Sequence, residues 1–205
     1  MPVFLLIRHG ENDYVKKNRL AGRIPGVHLN KNGQQQALAL AEKLGEAPIK
    51  AVYSSPLERA METAAPLAQA LGLEVQAREG LIEVDFGEWQ DQRTKALSRT
   101  KLWKIVQGAP SRFRFPGGES FADAQLRICQ DLDVIARQHE PKDLLVCVSH
   151  SDPIKLAVAY FLGMPLDTFQ RLSVAPASIT ALYLGEAGSQ LLRLNYEFSI
   201  SFPKS

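Results

Sequence analysis

Three short strings in this 205-residue chain place histidine and arginine directly after apolar runs: Arg8-His9-Gly10, Ser54-Ser55-Pro56-Leu57-Glu58-Arg59 and Ser149-His150-Ser151. Arginine presents a planar fork of donors that matches a phosphate edge, and two arginines hold a phosphoryl group while offsetting its charge. A neutral imidazole is a competent nucleophile near pH 7, where a hydroxyl needs a base to activate it. The pattern therefore suits phosphoryl transfer, with His9 or His150 accepting the group and the other stabilising charge in the transition state. A leaving alkoxide also needs a proton. Glu83, between Ile82 and Val84, is a candidate general acid because apolar neighbours favour its protonated form, and Asp85 and Asp152 compete for the role. Metal binding by His9 and His150 is the other chemistry open to these residues. Arginines crowding a cation argue against it.

These residues need a scaffold, and the apolar runs supply one. Val3-Phe4-Leu5-Leu6-Ile7, Ala51-Val52-Tyr53 and Leu144-Leu145-Val146-Cys147-Val148 have the character of parallel strands covered on both faces. Ligands of open α/β sheets bind beyond the carboxyl ends of such strands, so the three strings are expected to converge. Helices alternate with the strands. Asn30 caps one whose apolar face is Ala37, Leu38, Ala41 and Leu44, stopped by Gly45. Glu58 to Leu71 forms a second, which Pro66 is expected to kink or interrupt. Ser120, with Asp123 three positions on, opens a third with Phe121, Ala124, Ile128, Leu132 and Ile135 on one stripe. Asp152-Pro153 starts a last helix ending at Gly163, whose N-terminal N–H groups and dipole favour an anion. Arg59 opposes the dipole of its own helix, which becomes sensible if it points at an anion. The alternation predicts an α/β sandwich.

Two stretches break this rhythm. Residues 78–118 form a cap-like excursion, with a helix expected from Thr94 to Val106 and a loop from Gly108 to Gly118. In that loop Arg112 and Arg114 alternate with Phe113 and Phe115; a solvated connection is expected ahead of a substrate-facing cap. Residues 190–203 read as a C-terminal strand, apolar at Leu192, Leu194, Tyr196, Phe198, Ile200 and Phe202 and polar between. At a sheet edge such a strand needs a cover, from its own chain or from a second copy in a homodimer.

Composition limits the partners. With 24 Lys or Arg against 22 Asp or Glu, the net charge of +2 gives no electrostatic reason to propose nucleic acid or an anionic membrane. The balance of 45% hydrophobic and 22% charged residues fits one soluble globular domain over residues 1–205. No run approaches the length of a membrane span, and no basic-then-apolar leader follows Met1, so a cytoplasmic protein is expected. Cys129 and Cys147, 18 positions apart without a CxxC, read as core residues. Phe86 and Trp89 read as packing, His28 and His139 as surface residues, and Glu88 and Asp91 as solvated.

The motifs also come in a telling order. Leu6-Ile7-Arg8-His9-Gly10-Glu11, Leu29 to Ala37, Tyr53 to Thr63, Glu83 with Phe86-Gly87-Glu88-Trp89, Pro116-Gly117-Gly118-Glu119-Ser120, and Val148-Ser149-His150 resemble those of the histidine phosphatase superfamily, phosphoglycerate mutase-like branch. The resemblance covers about three-quarters of the chain. It implies a three-layer α/β/α sandwich with a mostly parallel mixed sheet, and a small phosphorylated substrate. It implies His9 as phosphohistidine nucleophile, Arg8 and Arg59 as phosphate ligands, His150 beside the transferring group and Glu83 as proton donor, with no metal or organic cofactor. The substrate-binding set is then Arg8, Asn12, Arg19, Gly22, Arg59 and Ser151. Val15 stands where many members have Asn, and Asn12 or Asn18 is the candidate replacement. Ala21, Gln90-Asp91 and Ser151-Asp152 also depart from the family pattern, which bears on substrate identity. The expected activity is a phosphomonoester hydrolase. Phosphoglycerate mutase is the alternative, disfavoured because residues 84–149 are short, and a non-catalytic phosphate-binding module is the third.

Overall fold

The computed structural model describes residues 2–186 and 188–198. In chain order the elements are β1 (Val3–Arg8), α1 (Asp13–Lys16), α2 (Lys31–Leu44), β2 (Ile49–Ser54), α3 (Glu58–Leu71) and β3 (Val75–Ala77), then α4 (Thr94–Leu97), α5 (Lys101–Gly108), α6 (Phe121–Ala136), β4 (Leu144–Ser149), α7 (Ser151–Phe161), β5 (Ile179–Gly185) and β6 (Gly188–Tyr196). Side chains alternate across the strands, and that alternation decides the layers. Phe4, Leu6, Leu145 and Cys147 pack with Ile128, Leu132 and Ile135 of α6 and Ile154 and Ala157 of α7. Ile7, Val52, Val146 and Val148 pack with Leu40 of α2 and Ala60, Ala64 and Leu67 of α3. Both faces are thus apolar, and the result is the expected three-layer α/β/α sandwich. Full burial of one such Leu or Ile contributes about 1.5–3 kcal/mol.

The sheet order is β3-β2-β4-β1-β5-β6. β3, β2, β4 and β1 run parallel, β5 is antiparallel to β1, and β6 is antiparallel to β5. Arg8 lies opposite Ser149, and Ser54 opposite Val148, so three adjacent strands end level. The ladder continues one step past them: His9 N–H donates to the Ser149 carbonyl, and Ser55 N–H to that of Val148, both at 2.9 Å.

The helix caps act as their residue types require. Asn30 accepts from Gly33 N–H at 2.9 Å, and Ser120 and Asp123 form a reciprocal capping box. Four expectations need correction. α3 continues uninterrupted through Pro66, which is only half buried. The helix expected from Thr94 to Val106 is two, because Thr100 adopts extended backbone and its hydroxyl caps α5 through Trp103 N–H. The loop from Gly108 to Gly118 is not simply solvated: Phe113 and Phe115 are buried with Phe86, Trp89, Val106, Phe121 and Phe169, while Arg112 and Arg114 stay exposed. The C-terminal strand starts at Gly188 and ends at Tyr196, and its register slips near Arg193, so Leu191 and Leu194 are half buried while Leu192 and Tyr196 are exposed. The remainder of the expected 190–203 strand, from residue 199 on, lies outside the described residues. Among the described residues no helix is long and apolar enough to cross a membrane.

One close approach fixes the loop after β1. A Cβ on Gly33 would collide with the carbonyl oxygen of Glu11, and one on Gly10 with the backbone of Gly33. The first turn of α2 therefore presses directly on the segment that follows His9. Gly33→Ala is expected to lower stability by at least about 2 kcal/mol in urea titration; a loss within about 0.5 kcal/mol would show that this approach is loose.

Candidate active site

The level strand ends bring His9, Ser55 and His150 together, and the first turn of α3 adds Arg59. His9 is 3% exposed and His150 fully buried, with ring centroids 5.1 Å apart. His9 Nδ1 faces the Gly10 carbonyl at 2.7 Å; a carbonyl only accepts, so Nδ1 carries the proton and Nε2 keeps its lone pair. For His150, Arg59 Nη2 is 3.3 Å from Nδ1, and arginine only donates. Its Nε2 therefore carries the proton and donates to Ser55 Oγ at 2.8 Å. Burial, reinforced by Arg59 and Arg8, holds the His9 imidazole well below its usual range; burial, Arg59 and His9 do the same for His150. Both rings are neutral at physiological pH.

Arg59 is 1% exposed. Its Nη2 donates to the Gly22 carbonyl at 2.7 Å, while Nε and Nη1 are buried with no partner among the described residues. Arg8 Nη1 donates to the Val174 carbonyl at 2.7 Å, and its Nε is likewise unpartnered. Asn12 accepts from Val15 N–H as the cap of α1, which leaves its Nδ2 buried without a partner. These side chains line one cavity of about 180 Å³, together with His9, Tyr14, Val15, Arg19, Leu20, Ala21, Gly22, Glu83, Phe86, Ser151 and Asp152. Buried donors left unpaired lose several kcal/mol of hydration, so this cluster is built for an acceptor that the protein does not supply. A tetrahedral oxyanion fits that description.

Glu83 faces the same cavity and is 8% exposed. One oxygen accepts from Val84 N–H at 2.9 Å; the other is 4.0 Å from His150 Nδ1. Burial, and secondarily Asp152, raises its pKa to about 7, against the pull of Arg59 and Arg8. The site thus combines a lone pair on a neutral imidazole, an anion cradle and a carboxyl that holds a proton near neutrality.

Residues 4–197 match the model of the histidine phosphatase superfamily, branch 1. The chain belongs to that family. This histidine phosphatase is 29% identical over 197 residues to phosphoserine phosphatase 1 of Hydrogenobacter thermophilus, covering 95% of this chain and 92% of the relative. It is 31% identical over 182 residues to a 2,3-bisphosphoglycerate-dependent phosphoglycerate mutase of Thermoplasma acidophilum, covering 89% and 87%. Its fold matches that of a phosphoserine phosphatase from Entamoeba histolytica in complex with 3-phosphoglyceric acid, with a TM-score of 0.86, 28% identity and coverage of 97% and 98%. It also spans about half the length of some longer mycobacterial relatives.

The histidine phosphatase brings together every residue expected at the site: His9, Arg8, Arg59, Glu83 and Ser151 line the cavity with Asn12, Arg19 and Gly22, and His150 touches Arg59 behind it. Of the two candidates to replace the amide missing at Val15, Asn12 lines the cavity, while Asn18 is exposed with left-handed backbone. Arg19 is engaged with the Asp91 carboxylate at 2.8 Å and lies over the Tyr14 ring. Asp91 is therefore exposed but paired. Arg112 and Arg114 do not line the cavity, and Arg114 pairs with Asp123. His28 is exposed as expected, whereas His139 is half buried, within 2.8 Å of the Tyr53 hydroxyl. Sequence patterning missed Thr63, whose hydroxyl donates to the Arg59 carbonyl at 2.7 Å and accepts from Gly10 N–H at 2.9 Å. It also passed over Ser55 as partner of His150. Both lie in quoted motifs, but only the fold shows what they hold. Among the described residues no group of three or more His, Cys, Asp or Glu side chains could hold a metal.

The raised pKa of Glu83 makes a stability prediction. Between the unfolded value near 4.5 and about 7, the native state keeps a proton that the unfolded chain has released, so stability is full below 4.5 and falls as pH rises through 7. Glu83→Gln removes that loss. Its stability relative to wild type should rise by roughly 2–3 kcal/mol between pH 5 and pH 8.5. Parallel pH curves for the two proteins would mean that Glu83 ionises normally.

Proposed function

We propose that this chain is a phosphomonoester hydrolase that acts on a small phosphorylated metabolite through a phosphohistidine at His9. The observation that carries the reading is the set of unpartnered buried donors on Arg8, Arg59 and Asn12, lining the same cavity as the neutral imidazole of His9. In the first step His9 Nε2 bonds to phosphorus as the bond to the leaving oxygen breaks. Arg8, Arg59 and Asn12 stabilise the equatorial oxygens, backed by His150, whose Nδ1 lies against Arg59. Glu83 gives its proton to the departing alkoxide. In the second step ionised Glu83 takes a proton from water, the water oxygen bonds to phosphorus, the N–P bond breaks, and phosphate leaves with His9 restored. A carboxyl with pKa about 7 suits both halves of this exchange. No metal or organic cofactor takes part.

Hydrolysis is preferred over mutase chemistry because phosphatase names recur both among the relatives and among the structures that share the fold; a mutase relative of similar length exists, so the short 84–149 stretch does not by itself separate the two activities. A cavity of about 180 Å³ suits a substrate of metabolite size. The same reading takes residues 1–205 as one domain with residues 78–118 as its cap. It places the protein in the cytoplasm, with β6, exposed at Leu192 and Tyr196, covered by a second copy. Wild-type enzyme is expected to release phosphate from phosphoserine or 3-phosphoglycerate in the presence of EDTA, and His9→Ala to lower kcat at least about 10³-fold. Metal dependence, or full activity in His9→Ala, would overturn the reading. Formation of 2-phosphoglycerate from 3-phosphoglycerate, strictly requiring the bisphosphate, would make it a mutase.

A further inference from the structure

Glu119, in the Pro116-Gly117-Gly118-Glu119-Ser120 motif, does not line the cavity, yet it is the most heavily engaged carboxylate near it. Its Oε1 accepts from Arg23 Nη2 at 2.8 Å, from Arg127 Nη2 at 2.8 Å and from Asp85 N–H at 3.0 Å. Each arginine then grips the backbone around Glu83. Arg23 Nε donates to the Glu83 carbonyl at 2.8 Å, and Arg127 Nη1 to the carbonyls of Gly80 and Ile82 at 2.8 and 2.9 Å. The Glu119 N–H closes the frame on the Asp85 carbonyl at 3.1 Å. Arg23 also joins this frame to the cradle. It follows Gly22, whose carbonyl holds Arg59, and its own N–H is fixed by Gln90 Oε1 at 2.6 Å.

We infer that Glu119 is a positioning residue: it locks Arg23 and Arg127 onto the backbone carbonyls around Glu83, and so sets where the Glu83 carboxyl stands relative to His9 and Arg59. This rests on the reading of Glu83 as proton donor. Three features support it. The Glu119 side chain is only 16% exposed, so its ion pairs are shielded and hold geometry better than surface pairs do. Charge-assisted hydrogen bonds to one carboxylate oxygen from two elements, the 19–24 loop and α6, leave the 80–85 segment little freedom. That segment has no regular strand or α-helix of its own to fix it.

Electrostatics separates positioning from mere stability. The charged and titratable groups facing Glu83 are Arg8 from β1 and His9 just after it, Tyr14 and Arg19 lining the same cavity, Arg59 from α3, His150 and Asp152 at the start of α7, and Arg23 from the loop and Arg127 from α6. Glu119 offsets the last two arginines. Glu119→Gln keeps an acceptor of the same shape but leaves both guanidiniums uncompensated, which favours the ionised form of Glu83. Arg23→Ala removes one cation and favours the protonated form.

The test measures steady-state kinetics across pH on phosphoserine, or on whichever phosphomonoester the wild type hydrolyses best. Both variants are expected to lower kcat about 10-fold with KM within about 2-fold, and to move the basic limb of the kcat profile in opposite directions. Glu119→Gln should shift it down and Arg23→Ala up, each by about half a pH unit. Lys43→Ala, which breaks only the exposed pair with Glu42 on α2, should match wild type. Unchanged kcat and basic limb in both variants, or a change in KM alone, would overturn the inference. If Glu83→Gln itself leaves kcat and the limb intact, the proton-donor reading fails first; if Glu83→Gln removes the limb while Glu119→Gln and Arg23→Ala leave it in place, only the role of Glu119 fails.

Discussion

The Arg59 guanidinium is a buried cation with two of its three nitrogens unpartnered among the described residues, and the rest of the structure is arranged around that deficit. Burying a charge is expensive unless it is paired and hydrogen-bonded. Here the chain supplies one carbonyl, at Gly22, and one imidazole nitrogen, at His150. The missing partners are oxygens that a phosphoryl group brings. Seen this way, the close packing of Gly10 on Gly33, the Thr63 hydroxyl that bridges α3 to Gly10, and the level ends of β1, β2 and β4 are all means of holding a cationic hollow open without letting it collapse onto protein acceptors.

The same hollow sets the protonation states that the chemistry needs. Burial, reinforced by Arg59 and Arg8, keeps both imidazoles neutral, and neutrality is what leaves Nε2 of His9 with a lone pair. Burial acts on Glu83 in the opposite sense, holding a proton on the carboxyl. Low dielectric thus gives a base that stays unprotonated and an acid that stays protonated within one cavity of about 180 Å³. Stability is given up for this arrangement, since each buried group would be better hydrated or paired elsewhere.

Much of this was legible in the sequence because buried parallel strands are continuous apolar runs, and their ends announce where a site must lie. Asn30, Ser120 and Asp123 were legible as caps because their hydrogen bonds span only three residues. What escaped depends on contacts distant along the chain. β3 is three residues long, and β5 exists as a strand only through its antiparallel pairing with β1 and β6. Thr100 divides α4 from α5 by a single hydroxyl, which apolar periodicity does not register. The sequence offers both Asn12 and Asn18 as replacements for the amide missing at Val15, and the double duty of Asn12, capping α1 with its oxygen while keeping its nitrogen for the cavity, is visible only in three dimensions. Glu119 sat in a motif without a role, because both of its arginine partners and their carbonyl targets come from other segments.

The central claim is that His9 carries the phosphoryl group between two chemical steps. Rapid acid-free quenching of enzyme with a ³²P-labelled phosphomonoester, followed by mapping of the modified peptide, tests it most directly. The account predicts label that is lost in acid, stable in base and confined to the peptide containing His9, and absent from His9→Ala. Label on His150, or turnover of the wild type with no trapped phosphoenzyme and full activity in His9→Ala, would contradict it.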